Sequence, residues 1–137
     1  MIVVDASVLT DFLLGRPHAL DALEGAFAGR EGEPLQAPAL IEPQTLNALR
    51  GLVRAGHVTE WHAREAVANL GRTRMTRYPH DPFRERVWEL RHDLTAYDAT
   101  YLALAEVLDD AVLLTADKGL AARARRSLGD QHVRQVA

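Results

Sequence analysis

Three aspartates stand where a buried strand ends or a helix begins, and they are the side chains best placed to do chemistry. Asp5 follows the apolar run 2–4, Asp117 follows the apolar run 111–114, and Asp98 lies in the first turn of an apolar helix. In an open parallel sheet, functional groups gather outside the carboxyl ends of the strands, so these acids could meet at one edge. Acids that meet repel one another unless they are protonated or bound to a cation. Oxygen donors of this kind favour Mg²⁺ or Mn²⁺.

Each aspartate also has a simpler interpretation as part of a helix start. An aspartate cap contributes about 1 kcal/mol through its hydrogen bond and the helix dipole, with no further role. Thr95 and Asp98 have the spacing of such a start. Hydroxyl groups lie two residues from the other two acids, at Ser7 and Thr115, where they could orient a carboxylate or hold a coordinated water.

Short apolar strands that alternate with helices must position these acids. Strands are predicted at residues 2–4, 35–38, 74–78, 111–114 and 132–136. Helices are predicted after Asp5, over 18–28, up to Ala55, from Thr59 to Gly71, from Asp81, around Asp98 and over 118–126. The pattern favours an α/β fold whose short, mostly parallel central sheet has four or five strands and about seven flanking helices. With no repeat or linker, residues 1–137 are predicted to form one domain.

Helical spacing predicts which side chains face the core. In the helix around Asp98, Tyr97, Tyr101 and Leu104 recur as a core-facing stripe. Trp61 and Trp88 are interpreted as helix packing or a subunit contact.

Composition excludes several classes of protein. The chain has no cysteine, which rules out a disulfide frame and a thiolate metal site. Its net charge of −3 gives no overall attraction to nucleic acid. No apolar run approaches transmembrane length and no leader is evident, so we expect a cytoplasmic protein without a membrane partner.

Three motifs in order resemble the PIN-domain ribonucleases, and among them the VapC toxins of type II toxin–antitoxin pairs. They are D-A-S at 5–7, L-T-A-Y-D-A-T-Y-L-A-L-A-E at 94–106 and L-L-T-A-D at 113–117. The resemblance implies a PIN-like fold and an endoribonuclease that cleaves structured RNA (tRNA, rRNA or mRNA) with Mg²⁺ or Mn²⁺ held in a four-acid pocket. It also implies a homodimer and a VapB-like antitoxin. Asp5 and Asp98 would then be the main ligands of the metal ion, and Asp117 would be a further ligand or would position a water molecule.

The fourth acid of the family has no clear counterpart in this chain. Motif register places it at Gln44, whereas the nearby carboxylate belongs to Glu42, about 200° away around a helix. Helical phase places Glu42 nearer a stripe of Leu46 and Leu49, with Gln44 facing away from that stripe. Either Gln44 is a neutral ligand or Glu42 bends into the pocket. A glutamine there would weaken metal binding, so activity could be reduced.

Arginines supply the candidate contacts to RNA. Arg72 and Arg74 flank the third strand and Arg123 lies on the last helix, where each could contact a phosphate or be an ordinary solvated charge.

Two alternatives remain beside the ribonuclease. Because of Gln44, the chain could be a catalytically weakened PIN-like protein that acts by binding RNA or an antitoxin. A flavodoxin-like phosphoacceptor also gathers acids at strand ends, but it needs two adjacent acids beyond the first strand, and Asp5 stands alone.

Overall fold

The computed structural model describes residues 1–136 and contains a five-stranded sheet in the order β3-β2-β1-β4-β5. All four strand pairs are parallel. The strands are β1 Ile2–Val4, β2 Leu35–Pro38, β3 Met75–Tyr78, β4 Val112–Thr115 and β5 Val133–Gln135. The predicted α/β architecture is confirmed, with five strands rather than four.

Within residues 1–136, seven α-helices connect and cover these strands. They are α1 Ala6–Leu13, α2 Pro17–Phe27, α3 Ile41–Arg54, α4 Glu60–Arg72, α5 Arg84–Glu89, α6 Ala96–Val107 and α7 Lys118–Leu128. Short 3₁₀ turns occupy 81–83, 90–92 and 130–132. No helix within residues 1–136 combines the length and apolar character needed to cross a membrane.

The core lies between the central strands and the helices that pack on them. β1 and β4 are buried at every position, as expected for strands with both faces covered. Helix α6 packs against β1, β2 and β4, and its residues 99–105 are all buried. A helix that is buried almost all round has no single apolar stripe. The predicted core position of Tyr97 is accordingly wrong, since 64% of it is exposed.

The helix predicted from Asp81 is shorter and less regular than its sequence suggests. A 3₁₀ turn, the six-residue α5 and a second 3₁₀ turn follow one another there. These turns bury Phe83 and Leu90. Helical spacing therefore predicts correctly that these two side chains face the core, although the segment is not one continuous helix.

Candidate active site

Three helices begin at one pocket, and each brings an aspartate to it. Asp5 caps α1 by accepting from the Val8 amide at 3.0 Å, and Asp117 caps α7 by accepting from the Leu120 amide at 2.8 Å. In the first turn of α6, the Thr95 hydroxyl accepts from the Asp98 amide. Capping and pocket formation are therefore compatible roles. The partial positive charge at the three helix N-termini also favours anionic groups there.

The pocket has a volume of about 390 Å³ and gathers the predicted acids. Its lining consists of Asp5, Ala6, Ser7, Gln44, Asp98, Tyr101, Ala116 and Asp117. The parallel pairing of β1 with β4 explains the meeting, because Val4 lies opposite Leu114 and both strands end at the same edge. Residues that are 93 and 112 positions apart along the chain from Asp5 thus share one cavity with it.

Asp5 is the most tightly held of the three acids. It is 6% exposed, and the Ser7 hydroxyl donates to its Oδ1 at 2.6 Å while the Thr115 hydroxyl donates to its Oδ2. Burial raises the pKa of Asp5, the hydrogen bonds from Ser7, Thr115 and the Val8 amide lower it, and the charge of Asp117 raises it. Ser7 thus lies beside the carboxylate two residues away, as its position in the sequence suggested. Thr115, which the sequence placed beside Asp117, instead donates to Asp5 and accepts from the Asp117 amide.

Asp98 is the acid whose ionisation is most strongly opposed. Burial raises its pKa to about 6, and the charges of Asp117 and Asp5 contribute to the same shift. A bound cation would relieve both effects, because it favours the charged form of a neighbouring carboxylate.

The structure separates the two candidates for the fourth position. Gln44 lines the pocket, whereas Glu42 lies outside it and accepts hydrogen bonds from Arg77 on β3 at 2.6 Å. The prediction that Glu42 bends in as a ligand is therefore not supported by its position. The predicted apolar stripe of α3 is right at Leu49 and wrong at Leu46, because the buried positions are Ile41, Thr45 and Leu49. Gln44 is next to Thr45 in the chain. Thr45 is buried although it is polar, so a search for apolar residues alone misses this part of the buried face.

Tyr101 belongs to the pocket, although its sequence context predicted only a core residue. It is 1% exposed, and its hydroxyl donates to Gln44 Oε1 at 2.6 Å. The spacing from Asp98 was the available signal, since residues three apart on a helix are neighbours.

The arginines predicted to contact RNA lie outside the pocket. Arg72 ends α4 and Arg74 precedes β3. Both therefore lie near the amino ends of the strands, whereas the acids lie at the carboxyl ends. Arg123 donates to Asp93, in the loop before α6, at 2.9 Å. RNA contact by these residues stays a prediction, and for Arg123 the structure shows an ion pair between α7 and the start of α6.

The donors of the pocket suit a hard divalent cation. Three carboxylates and one amide oxygen are the kind of ligand that Mg²⁺ and Mn²⁺ take. Within residues 1–136, however, no three carboxylate or imidazole groups already lie in an arrangement that could hold a metal ion. Asp98 and Asp117 are less buried than Asp5, so theirs are the carboxylates that can adjust toward a cation.

Comparison with known proteins shows the family of the chain. Residues 2–126 match the PIN domain. The chain is 40% identical over 121 residues to Ribonuclease VapC1 of Mycobacterium tuberculosis, a match that covers 88% of each chain. It is 38% identical over 117 residues to VapC ribonuclease Mb0985 of Mycobacterium bovis, covering 85% of this chain and 86% of the relative. Identity to Ribonuclease VapC12 of M. tuberculosis is 33% over 123 residues.

Proposed function

This chain belongs to the PIN-domain family of VapC ribonucleases, and from that premise we propose that it is the endoribonuclease toxin of a type II toxin–antitoxin pair. The observation that carries the proposal is the meeting of Asp5, Asp98 and Asp117 in one pocket. The substrate is a structured RNA such as tRNA, rRNA or mRNA, and residues 1–137 act as one domain. The flavodoxin-like alternative falls away with the family assignment.

In the proposed mechanism, the three acids divide the work. The hydroxyls of Ser7 and Thr115 hold the Asp5 carboxylate in one orientation, so its position is set before RNA arrives. Asp98 and Asp5 would hold Mg²⁺ or Mn²⁺, and the exposed Asp117 would add an oxygen or orient a water molecule. When bound, such a cation makes nearby water more acidic and offsets charge on the scissile phosphate.

The proposal includes partners that follow from the family. A VapB-like antitoxin would control the enzyme, and two copies of the chain would form a homodimer in the cytoplasm. Trp61 and Trp88 support a protein contact, since they are 71% and 67% exposed. The prediction that these tryptophans serve helix packing is wrong for the same reason.

Removing one pocket carboxylate tests the function. We expect Asp5→Asn and Asp98→Asn each to lower cleavage of bulk tRNA and rRNA in Mn²⁺ by more than about 100-fold, because loss of mere outer-shell partners of a metal already costs about 10- to 100-fold. The measurement is the rate of RNA cleavage by the purified protein. Glu60→Gln is the control, since this acid lies on the exposed surface of α4 and its ion pair within residues 1–136 is with Arg64. Full activity in both aspartate variants would contradict the proposal.

One observation favours the second candidate, a catalytically weakened PIN-like protein that binds RNA or an antitoxin. The fourth position of the pocket holds Gln44, whose carbonyl oxygen already accepts from Tyr101. For this candidate, the unmodified protein would bind RNA without cleaving it, and Asp5→Asn would leave that binding unchanged.

A further inference from the structure

The pocket contains one amide among its acids, and a tyrosine fixes that amide. Tyr101 is buried on α6 and its Oη lies 2.6 Å from Gln44 Oε1. Gln44 is half-buried on α3, at the wall of the pocket. The carbonyl oxygen of Gln44 therefore points at the tyrosine.

Tyr101 can act only as the donor in this pair. An amide oxygen only accepts, so the shared proton belongs to the phenol. Burial raises the pKa of Tyr101 and the charges of Asp5 and Asp98 raise it further, which keeps the hydroxyl protonated. The other branch of the amide carries two N–H groups, and the structure shows no partner for them within residues 1–136.

We propose that Tyr101 holds Gln44 as a hydrogen-bond donor toward a phosphate oxygen of RNA rather than as an oxygen ligand of the metal ion. The inference rests on the proposed function, because it describes how the same pocket receives its substrate. Tyr101 is a positioning residue in this arrangement, since it acts through Gln44.

The charges around the pocket explain why a donor is useful there. Three carboxylates repel a phosphate, and the residues that line the pocket include no arginine or lysine. A fourth carboxylate at position 44 would add to the repulsion, whereas an N–H group attracts the phosphate. Compared with a carboxylate at position 44, the neutral amide therefore lowers the affinity for the cation and raises the affinity for the phosphate of the substrate.

Metal affinity is the first test, measured as the dissociation constant of Mn²⁺ by calorimetry. We expect Gln44→Ala to leave this constant within about twofold of the unmodified protein, because no metal ligand is lost. Gln44→Glu is expected to tighten Mn²⁺ binding about tenfold, since affinity rises with the number of charged ligands. A tenfold weaker Mn²⁺ affinity in Gln44→Ala would overturn the inference, because it would make the amide oxygen a ligand.

RNA affinity is the second test, measured by fluorescence anisotropy of a short fluorescein-labelled oligouridylate in Ca²⁺. We expect Gln44→Ala and Tyr101→Phe each to raise the dissociation constant about 3- to 10-fold, as for one hydrogen bond to a charged group. The double variant should lose no more than either single one, because both act through one contact. Unchanged RNA affinity in Gln44→Ala, or additive losses in the double variant, would overturn the inference.

The chain offers a matched control for the tyrosine. Tyr78 donates to Gln36 Oε1 in a pair of the same kind, and neither residue lines the pocket. Tyr78→Phe therefore removes the same type of hydrogen bond and is expected to change neither dissociation constant. Neither arm requires cleavage. An unmodified protein that fails to cut RNA overturns the proposed function, while the two binding comparisons still decide the role of Gln44.

Discussion

At the scale of single residues, the pocket position of Asp98 lowers the free energy of unfolding at neutral pH. The unfolded chain releases this proton near its ordinary value of 3.8, whereas burial and the charges of Asp117 and Asp5 raise the folded pKa to about 6. Between those values the folded state binds more protons than the unfolded state, so the raised pKa lowers the free energy of unfolding as the pH rises. Above about pH 6 the destabilisation is complete.

Asp98→Asn should therefore stabilise the metal-free protein. We expect its Tm at pH 7.5 to exceed that of the unmodified protein by about 3–5 °C, which corresponds to about 1 kcal/mol after allowance for the partial solvation of the carboxyl group. The gain should be much smaller at pH 4, because both folded proteins are then neutral at this position and only ionisation of the unfolded chain separates them. Mn²⁺ should raise the Tm of the unmodified protein more than that of the variant.

Thermal denaturation in EDTA and in Mn²⁺ at the two pH values provides the measurement. Asp21→Asn on the exposed face of α2 serves as the control and should shift the Tm little at either pH. An equal gain for Asp98→Asn at pH 4 and pH 7.5 would show that charge is not its cause.

At the scale of elements, an ion pair joins two of the helices that build the pocket. Arg123 on α7 is 17% exposed, donates to Asp93 at 2.9 Å and donates to Ser127 at 2.6 Å. Asp93 lies just before Thr95, the cap of α6. The pair thus ties the helix that begins at Asp117 to the helix that carries Asp98.

Arg123→Ala tests whether this arginine serves the fold or the RNA. We expect a loss of about 1 kcal/mol and a Tm lower by about 3–5 °C, because a partly buried, well-aligned ion pair is broken. Arg126→Ala should lose less, since Arg126 is 68% exposed and lies 3.5 Å from the same carboxylate. Weaker RNA binding at an unchanged Tm would instead support the predicted RNA contact.

Helix starts and strands were predictable because their chemistry is local. The hydroxyl of Thr59 caps α4 as its sequence predicts, and β2 spans the predicted residues 35–38. The face that each helix buries was harder to predict. Thr45 is fully buried and Leu46 is 44% exposed, so polarity misplaced the buried face of α3 by one residue. Because of this error of one residue, the sequence alone could not decide whether Glu42 or Gln44 faces the pocket.

At the scale of the whole molecule, the order of the strands could not be read from local patterns. The acids at 5 and 117 meet only because β1 lies between β2 and β4 in the centre of the sheet. The partner of Gln44 has the same origin, since Tyr101 reaches it from a helix 57 positions further along the chain. The positions of the acids at strand ends and helix starts identified them in the sequence. That Gln44 lies in the same pocket follows only from the topology of the fold.

Asp110 contacts three distant segments of the chain at the amino ends of the strands, opposite the pocket. Its carbonyl accepts from the amino group of Met1, and its carboxylate accepts from Arg30 at 2.9 Å and lies 3.3 Å from His132 Nε2. Its φ of +48° lies in the left-handed region, which aspartate and asparagine tolerate better than other side chains. The hydrogen bond with His132 and the charge of Arg30 lower the pKa of Asp110.

Two substitutions at Asp110 separate its charge from its backbone. Asp110→Asn loses the charge alone, whereas Asp110→Ala also strains the backbone, so we expect the alanine variant to have the lower Tm at pH 7. Because the folded pKa is lowered, the contribution of the charge is present above pH 4 and fades as the pH falls. The difference between the unmodified protein and Asp110→Asn should shrink accordingly by pH 3. Equal Tm values for both variants at pH 7 would refute the backbone effect.

The central place of β1 has a consequence for how the protein is made. β1 is translated more than 100 residues before β4, the neighbour that completes the pocket, and before the acid that follows β4. A nascent chain that stops before residue 117 lacks one wall of the cavity and one of its three carboxylates. Such a fragment is expected to be harmless to the RNA around it, so catalysis would require translation to pass residue 117.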